Sequence, residues 1–123
     1  MKKMLIAAAL ATAAALGFAG ELKLASGGRT DYTIVYKPSG DVLLDPAVKD
    51  LSATLREITG ATFPVKEDAD GPKIFIGKRA PGDDAEFKSR ERRIRSVGND
   101  LYIYGDYRYG TVGTIYKIGR AHV

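Results

Sequence analysis

The sequence has no cysteine and only one histidine, His122, among its 123 residues. Without cysteine it is neither a disulfide scaffold nor a lipid-anchored lipoprotein, and stability must come from the core alone. The two absences together leave only carboxylates for a metal site. Asp68 and Asp70 sit in a turn and Asp83 and Asp84 in a loop, and neither place has the graded spacing of a calcium loop. No serine or threonine has a base that the sequence can set beside it, so a nucleophilic triad would have to use His122. Nothing selects a glycosidase-type pair from the 15 acidic residues. Gly105, Gly110 and Gly113 lack the strand, loop and helix-opening lysine of a phosphate-binding loop. The residues therefore point to no catalytic group, no cofactor and no metal.

Long apolar runs are also scarce. The clearest, Met4 to Leu16, follows Lys2 and Lys3 and precedes the small residues Gly17 and Ala19, which is the layout of a secretory signal cleaved after Ala19. It is shorter than the roughly 20 residues a spanning helix needs. A signal peptide is expected over residues 1–19, with a mature chain that is periplasmic or secreted and makes no membrane contact after cleavage. Charge of one sign is weak as well: without Lys2, Lys3 and Arg120 the formal +4 falls to about +1. The basic run KSRERRIRSV is accompanied by Glu86 and Glu91, and no aromatic residue interrupts it from Lys88 to Val97. It reads as a solvated, mixed-charge strand face, and no nucleic-acid partner is expected.

What the chain does contain is a clear order of elements. ELKLA alternates and predicts a short strand, SGGRTD its turn, and YTIVYK a second strand rich in β-branched and aromatic residues. DPAVKDLSATLREITGA predicts a helix, with Asp45 as its cap, Pro46 at the first helical position and Gly60 ending it. Val48, Leu51, Leu55 and Ile58 fall on one face of that helix. ATFPVK reads as a short strand in which Pro64, unable to donate to a ladder, marks an edge position or a bulge, and KIFIG as a buried strand suited to a central position. KRAPGDDAE is expected to be an exposed loop. RRIRSV and LYIYG form a hairpin around Gly98, Asn99 and Asp100. YRYGTVGTIYK opens a helix with Thr111 as candidate cap. The fold expected is α/β (α+β): a small mixed β-sheet with one well-defined amphipathic helix packed on it and the start of a second helix.

The tyrosines carry the candidate site. Tyr102 and Tyr104 share one face of the last strand, and Tyr107, Arg108 and Tyr109 follow just beyond it. Tyrosine rings stack on sugars, but they also pack well against a helix or a neighbouring domain, so these five residues are candidate carbohydrate or interface contacts.

REITGATFPV, KIFIG, RIRSVGNDLYIYG and YGTVGTIY, in that order, resemble the non-catalytic N-terminal domain of secreted glycoside hydrolases. The domain is known from bacterial alpha-glucuronidases and beta-N-acetylhexosaminidases, where it is the beta-hexosaminidase-like domain 2. The similarity spans residues 21–116 and is carried by Ile58 to Ala61, Pro64 with Val65, Ile76 with Gly77, and Gly110 to Tyr116. The resemblance implies a small α/β domain packed beside a catalytic barrel of the same chain, with polysaccharide as the substrate of the whole enzyme. The catalytic carboxylates of such enzymes lie in the barrel, so no position here corresponds to them. Two alternatives stand beside this reading: a stand-alone carbohydrate-binding module using Tyr102, Tyr104, Tyr107 and Tyr109, or an exported structural protein.

In the family the last helix runs on past Tyr116 toward a linker and the barrel, whereas here it becomes KIGRAHV. IGRAHV is the translation of ATC GGA AGA GCA CAC GTC, which matches a widely used sequencing-adapter oligonucleotide. The expectation is a truncated domain over residues 20–117 and adapter read-through over residues 118–123, which removes His122 from the candidate site.

Overall fold

The computed structural model describes residues 22–122. The expected signal peptide, its cleavage after Ala19 and the strand position of Glu21 lie outside the described residues. The chain forms a mixed α/β structure in which five strands make one sheet and two helices pack on it. The strands are β1 Thr33–Val35, β2 Val65–Lys66, β3 Lys73–Ile76, β4 Arg92–Val97 and β5 Asp100–Gly105, in the spatial order β2-β1-β3-β5-β4. Only β4 runs antiparallel to its neighbour.

Helix α1, Leu44–Thr59, buries Val48, Leu51, Leu55 and Ile58 with Ala47 and Thr59, as its apolar spacing requires. It ends where Gly60 takes φ 76 and donates its amide to the Arg56 carbonyl, a conformation that a Cβ would strain. Its start differs from expectation. The helix begins two residues before Pro46, Leu43 stands at the cap position, and Asp41 Oδ1 accepts the amides of Leu43 and Leu44 at 2.8 and 3.0 Å. Asp45 is drawn away from capping because its carboxylate accepts the Tyr36 hydroxyl and the Ser39 and Gly40 amides.

Pro64 puts β2 at the sheet edge, where its carbonyl accepts the Ile34 amide at 2.8 Å, and KIFIG lies at the centre. The hairpin turn is tighter than expected, since Asp100 pairs with Val97 and leaves only Gly98 and Asn99 in the loop. Gly98, at φ 61, supplies the positive φ that the first position of a type II′ turn needs. ELKLA forms no strand over its described residues. Both sides of β1 are taken by β2 and β3, so Leu24 and Ala25 pack into the core as irregular chain, with the Leu24 carbonyl held by Thr30 Oγ1.

Helix α2 is longer than a helix start: it spans Tyr107–His122, and Ile115 and Ile118 are buried. Thr111 does not cap it; the residue lies buried inside the helix, which opens with the Gly110 amide on the Asp106 carbonyl.

The two faces of the sheet differ. Ile34, Ile74, Ile76, Leu101 and Ile103 lie under Leu51, Leu55 and Ile58 of α1 and Ile115 and Ile118 of α2. Each such side chain contributes about 1.5–3 kcal/mol by leaving water. On the other face Phe75, Tyr102 and Tyr104 pack with Ala80 and Phe87 of the segment between β3 and β4. That segment holds KRAPGDDAE, a loop exposed as expected at seven of its nine residues, while Ala80 and Asp83 turn inward and cover part of the sheet.

Candidate functional site

Four parallel strands point the same way, so the segments after β1, β3 and β5 and the start of β4 meet along one edge of the sheet. In open α/β sheets this carboxyl edge is where ligands sit. At the β5–α2 junction the chain turns sharply, and the backbones of Gly105 and Gly110 press on the Glu91 carbonyl. A Cβ would lie 2.3 Å from that oxygen at Gly105 and 2.2 Å at Gly110. The Asp106 amide donates to the same carbonyl at 2.8 Å, and the Arg90 amide donates to the Asp106 carboxylate at 2.7 Å.

This junction presents Tyr107, 68% exposed, and Tyr109, 47% exposed. Their rings stand 5.8 Å apart at 60° and so form a corner rather than a flat platform. The Arg108 guanidinium is 5.4 Å from both rings, and that of Arg90 is 5.6 Å from Tyr109. Arg108 Nη1 reaches the Asp41 carboxylate at 3.3 Å, which ties the start of α2 to the start of α1. The Tyr109 hydroxyl first, and Asp41 with it, raise the Arg108 pKa above its ordinary value. The backbone amides of Leu44 and Leu43 lower that of Asp41, with Arg108 adding to the effect. Val42 and Leu43 extend this surface with exposed apolar area.

Tyr102 and Tyr104 belong elsewhere. They are only 5% and 2% exposed, so the structure does not bring the four tyrosines into one platform. The Tyr102 ring stacks on Phe75 at 4.8 Å, and the Tyr104 hydroxyl donates to Asp83. Asp83 is part of a latch centred on Arg93. Arg93 Nη1 contacts both Asp83 oxygens at 3.0 and 2.9 Å and the Ala85 carbonyl at 3.0 Å. Nη2 donates to the Glu86 carbonyl and Nε to Glu91, both at 2.8 Å. Phe87 closes the latch, with the guanidinium carbons of Arg79 and Arg93 each 4.2 Å from its ring centre. The Tyr104 hydroxyl above all, with Arg93, holds the Asp83 carboxyl down to about 2, against the opposing effect of burial. Burial first, then Asp83, pushes the Tyr104 hydroxyl up. The basic run read as a solvated strand face is thus broken by Arg93, whose side chain is buried.

A groove of about 990 Å³ runs between α1 and β2, lined by Tyr36, Pro46, Val48, Ala53 and Val65. Burial, and then Asp45, pushes the Tyr36 hydroxyl at its end up to about 12. No group of three metal-ligating side chains occurs among the described residues. Likewise, no helix among them is long and apolar enough to cross a membrane.

Sequence reasoning missed two members of the junction. Asp41 had a signal, an aspartate two and three residues before the amides it accepts, as in an Asx turn. Arg90 had none, because an arginine at φ 58 is set by its anchors rather than by any local preference. No protein-family model matches the chain, and no curated protein matches it.

Proposed function

We propose that this chain is a non-catalytic accessory domain of an exported glycoside hydrolase acting in polysaccharide breakdown, and that it braces the catalytic barrel of the same polypeptide. The observation that supports this reading is the ordered set of motifs named above. The helix ending at Gly60 is α1, the Pro64 strand is β2, the strand ending before Gly77 is β3, the hairpin is β4–β5, and the glycine-threonine segment lies in α2. All are parts of one sheet and the helices on it. The exposed apolar side chains of Val42 and Leu43 suit contact with a neighbouring domain, as apolar surface of this kind does.

Sequencing the source locus downstream of Tyr116 tests the reading. A frame that continues into a barrel with paired carboxylates is the expected result. Genomic DNA encoding KIGRAHV followed by a stop codon overturns it. Hydrolysis of a xylan or chitin fragment by this chain alone overturns the non-catalytic part. Export is checked by fusing residues 1–21 to a reporter active only outside the cytoplasm, and an inactive reporter removes that part of the proposal.

A further inference from the structure

We propose that Arg90, Tyr107, Arg108 and Tyr109 form a saccharide-binding corner at the carboxyl edge of the sheet. The choice of glycan rests on the accessory-domain reading; the existence of the corner rests on the geometry.

Among the described residues only two non-glycine residues have positive φ, Arg90 at 58° and Tyr107 at 51°. Such conformations persist only where the surroundings over-determine them. Here both are fixed by the same anchors: the Asp106 carboxylate holds the Arg90 amide, and the Glu91 carbonyl holds the Asp106 amide just ahead of Tyr107. The two strained positions deliver their side chains to one surface, where the Arg90 guanidinium reaches the Tyr109 ring.

The chemistry of that surface fits a sugar. A pyranose offers a C–H-rich face that packs on an aromatic ring and hydroxyl oxygens that accept from planar donors. Tyr107 supplies the most open ring, and the 60° angle to Tyr109 gives a ring lying on Tyr107 a second wall. Among the described residues the Arg90 guanidinium has no ion pair and no hydrogen-bond acceptor, so its N–H groups are available to hydroxyls. Asp41, whose Oδ2 receives Arg108, supplies an acceptor for a hydroxyl proton. The two arginines are matched by Asp41 and Asp106 in the same cluster, so the corner is close to neutral. A polyanion such as a nucleic acid would find no excess positive charge here.

The test is an NMR titration of the ¹⁵N-labelled chain with xylohexaose, cellohexaose and chitohexaose, each to about 10 mM, the range in which weak single-site binding registers. At least one is expected to shift the amides of residues 90 and 107–109. Arg90→Ala and Tyr107→Ala are each expected to weaken it about tenfold or more, with the remaining amides unmoved. Tyr107→Gly relieves the backbone and removes the ring, so it is expected to fold at least as well and still lose binding. Should Tyr107→Ala fail to fold, Tyr107→Gly and Arg90→Ala decide. Silence with all three sugars overturns the proposal, as do shifts confined to the groove beside α1. Self-association in sedimentation that Tyr107→Gly abolishes also overturns it, because the surface then serves a protein contact. A downstream frame without a barrel removes the accessory-domain reading and leaves the titration standing; a silent titration beside a genuine barrel removes the corner alone.

Discussion

One face of the sheet is sealed by two helices with aliphatic side chains, the other by an irregular segment held through polar contacts centred on Arg93. Leu51, Leu55, Ile103 and Ile115 interlock without direction, so that the first face depends on volume and area. The second depends on geometry: Arg93 gathers Asp83, Glu91 and the carbonyls of Ala85 and Glu86, and Arg79 adds bonds to the Asp83 and Ala85 carbonyls. Each face therefore fails in its own way. Losing volume on the first loosens the whole domain, whereas losing Arg93 on the second loosens a single segment and removes the ion pairs with Asp83 and Glu91.

The largest effect is expected from Leu51→Ala, at a residue of α1 that is 1% exposed in the core. It should cost about 3 kcal/mol, read as a lower urea midpoint with every probe moving together. Arg93→Met should cost about 2–3 kcal/mol and act locally. Hydrogen exchange should rise over residues 78–90 while α1 stays protected, and uniform loss of protection would erase the contrast between the faces.

Acid sharpens the same contrast. Asp83 has a folded pKa of about 2 against an ordinary 3.8, so the unfolded chain binds more protons between those values. Its contribution is therefore complete above that window and fades as the pH falls through it. Urea unfolding at stepped pH should show a shallower decline for Asp83→Asn than for the parent. Some slope should survive, because Asp41, Asp45 and Glu91 also have lowered pKa values. The smallest effect lies at the edge between the faces, where Tyr107→Gly should raise stability by about 1 kcal/mol, seen as a higher Tm.

The helix-covered face was the readable one. Pro64, Gly60 and the spacing of Val48, Leu51, Leu55 and Ile58 are local signals, and each element they mark stands where they put it. The latch was not readable, because Asp83 and Arg93 meet across 10 positions and nothing in KRAPGDDAE marks one acid over its neighbour. The same limit moved the helix cap. Asp45 and Asp41 are equally good capping residues, and the choice falls to Tyr36, nine positions away, which holds Asp45. Of the candidate site, alternation placed Tyr102 and Tyr104 on one face correctly but could not tell a covered face from an open one. Tyr107 and Tyr109 stay exposed because the chain leaves the strand at Gly105.

The contact of Gly105 and Gly110 with the Glu91 carbonyl bears on the order in which the chain folds. Three segments meet at that point, the head of β4, the tail of β5 and the first turn of α2, and all lie within about 20 residues of one another. Loops that short close quickly, so β4, β5 and the first turn of α2 are expected to meet early, with Ile115 and Ile118 further along α2 completing their packing when α1 arrives. The β1–α1–β2 half, whose strand β1 must find β3 some 40 residues away, is then expected to dock later.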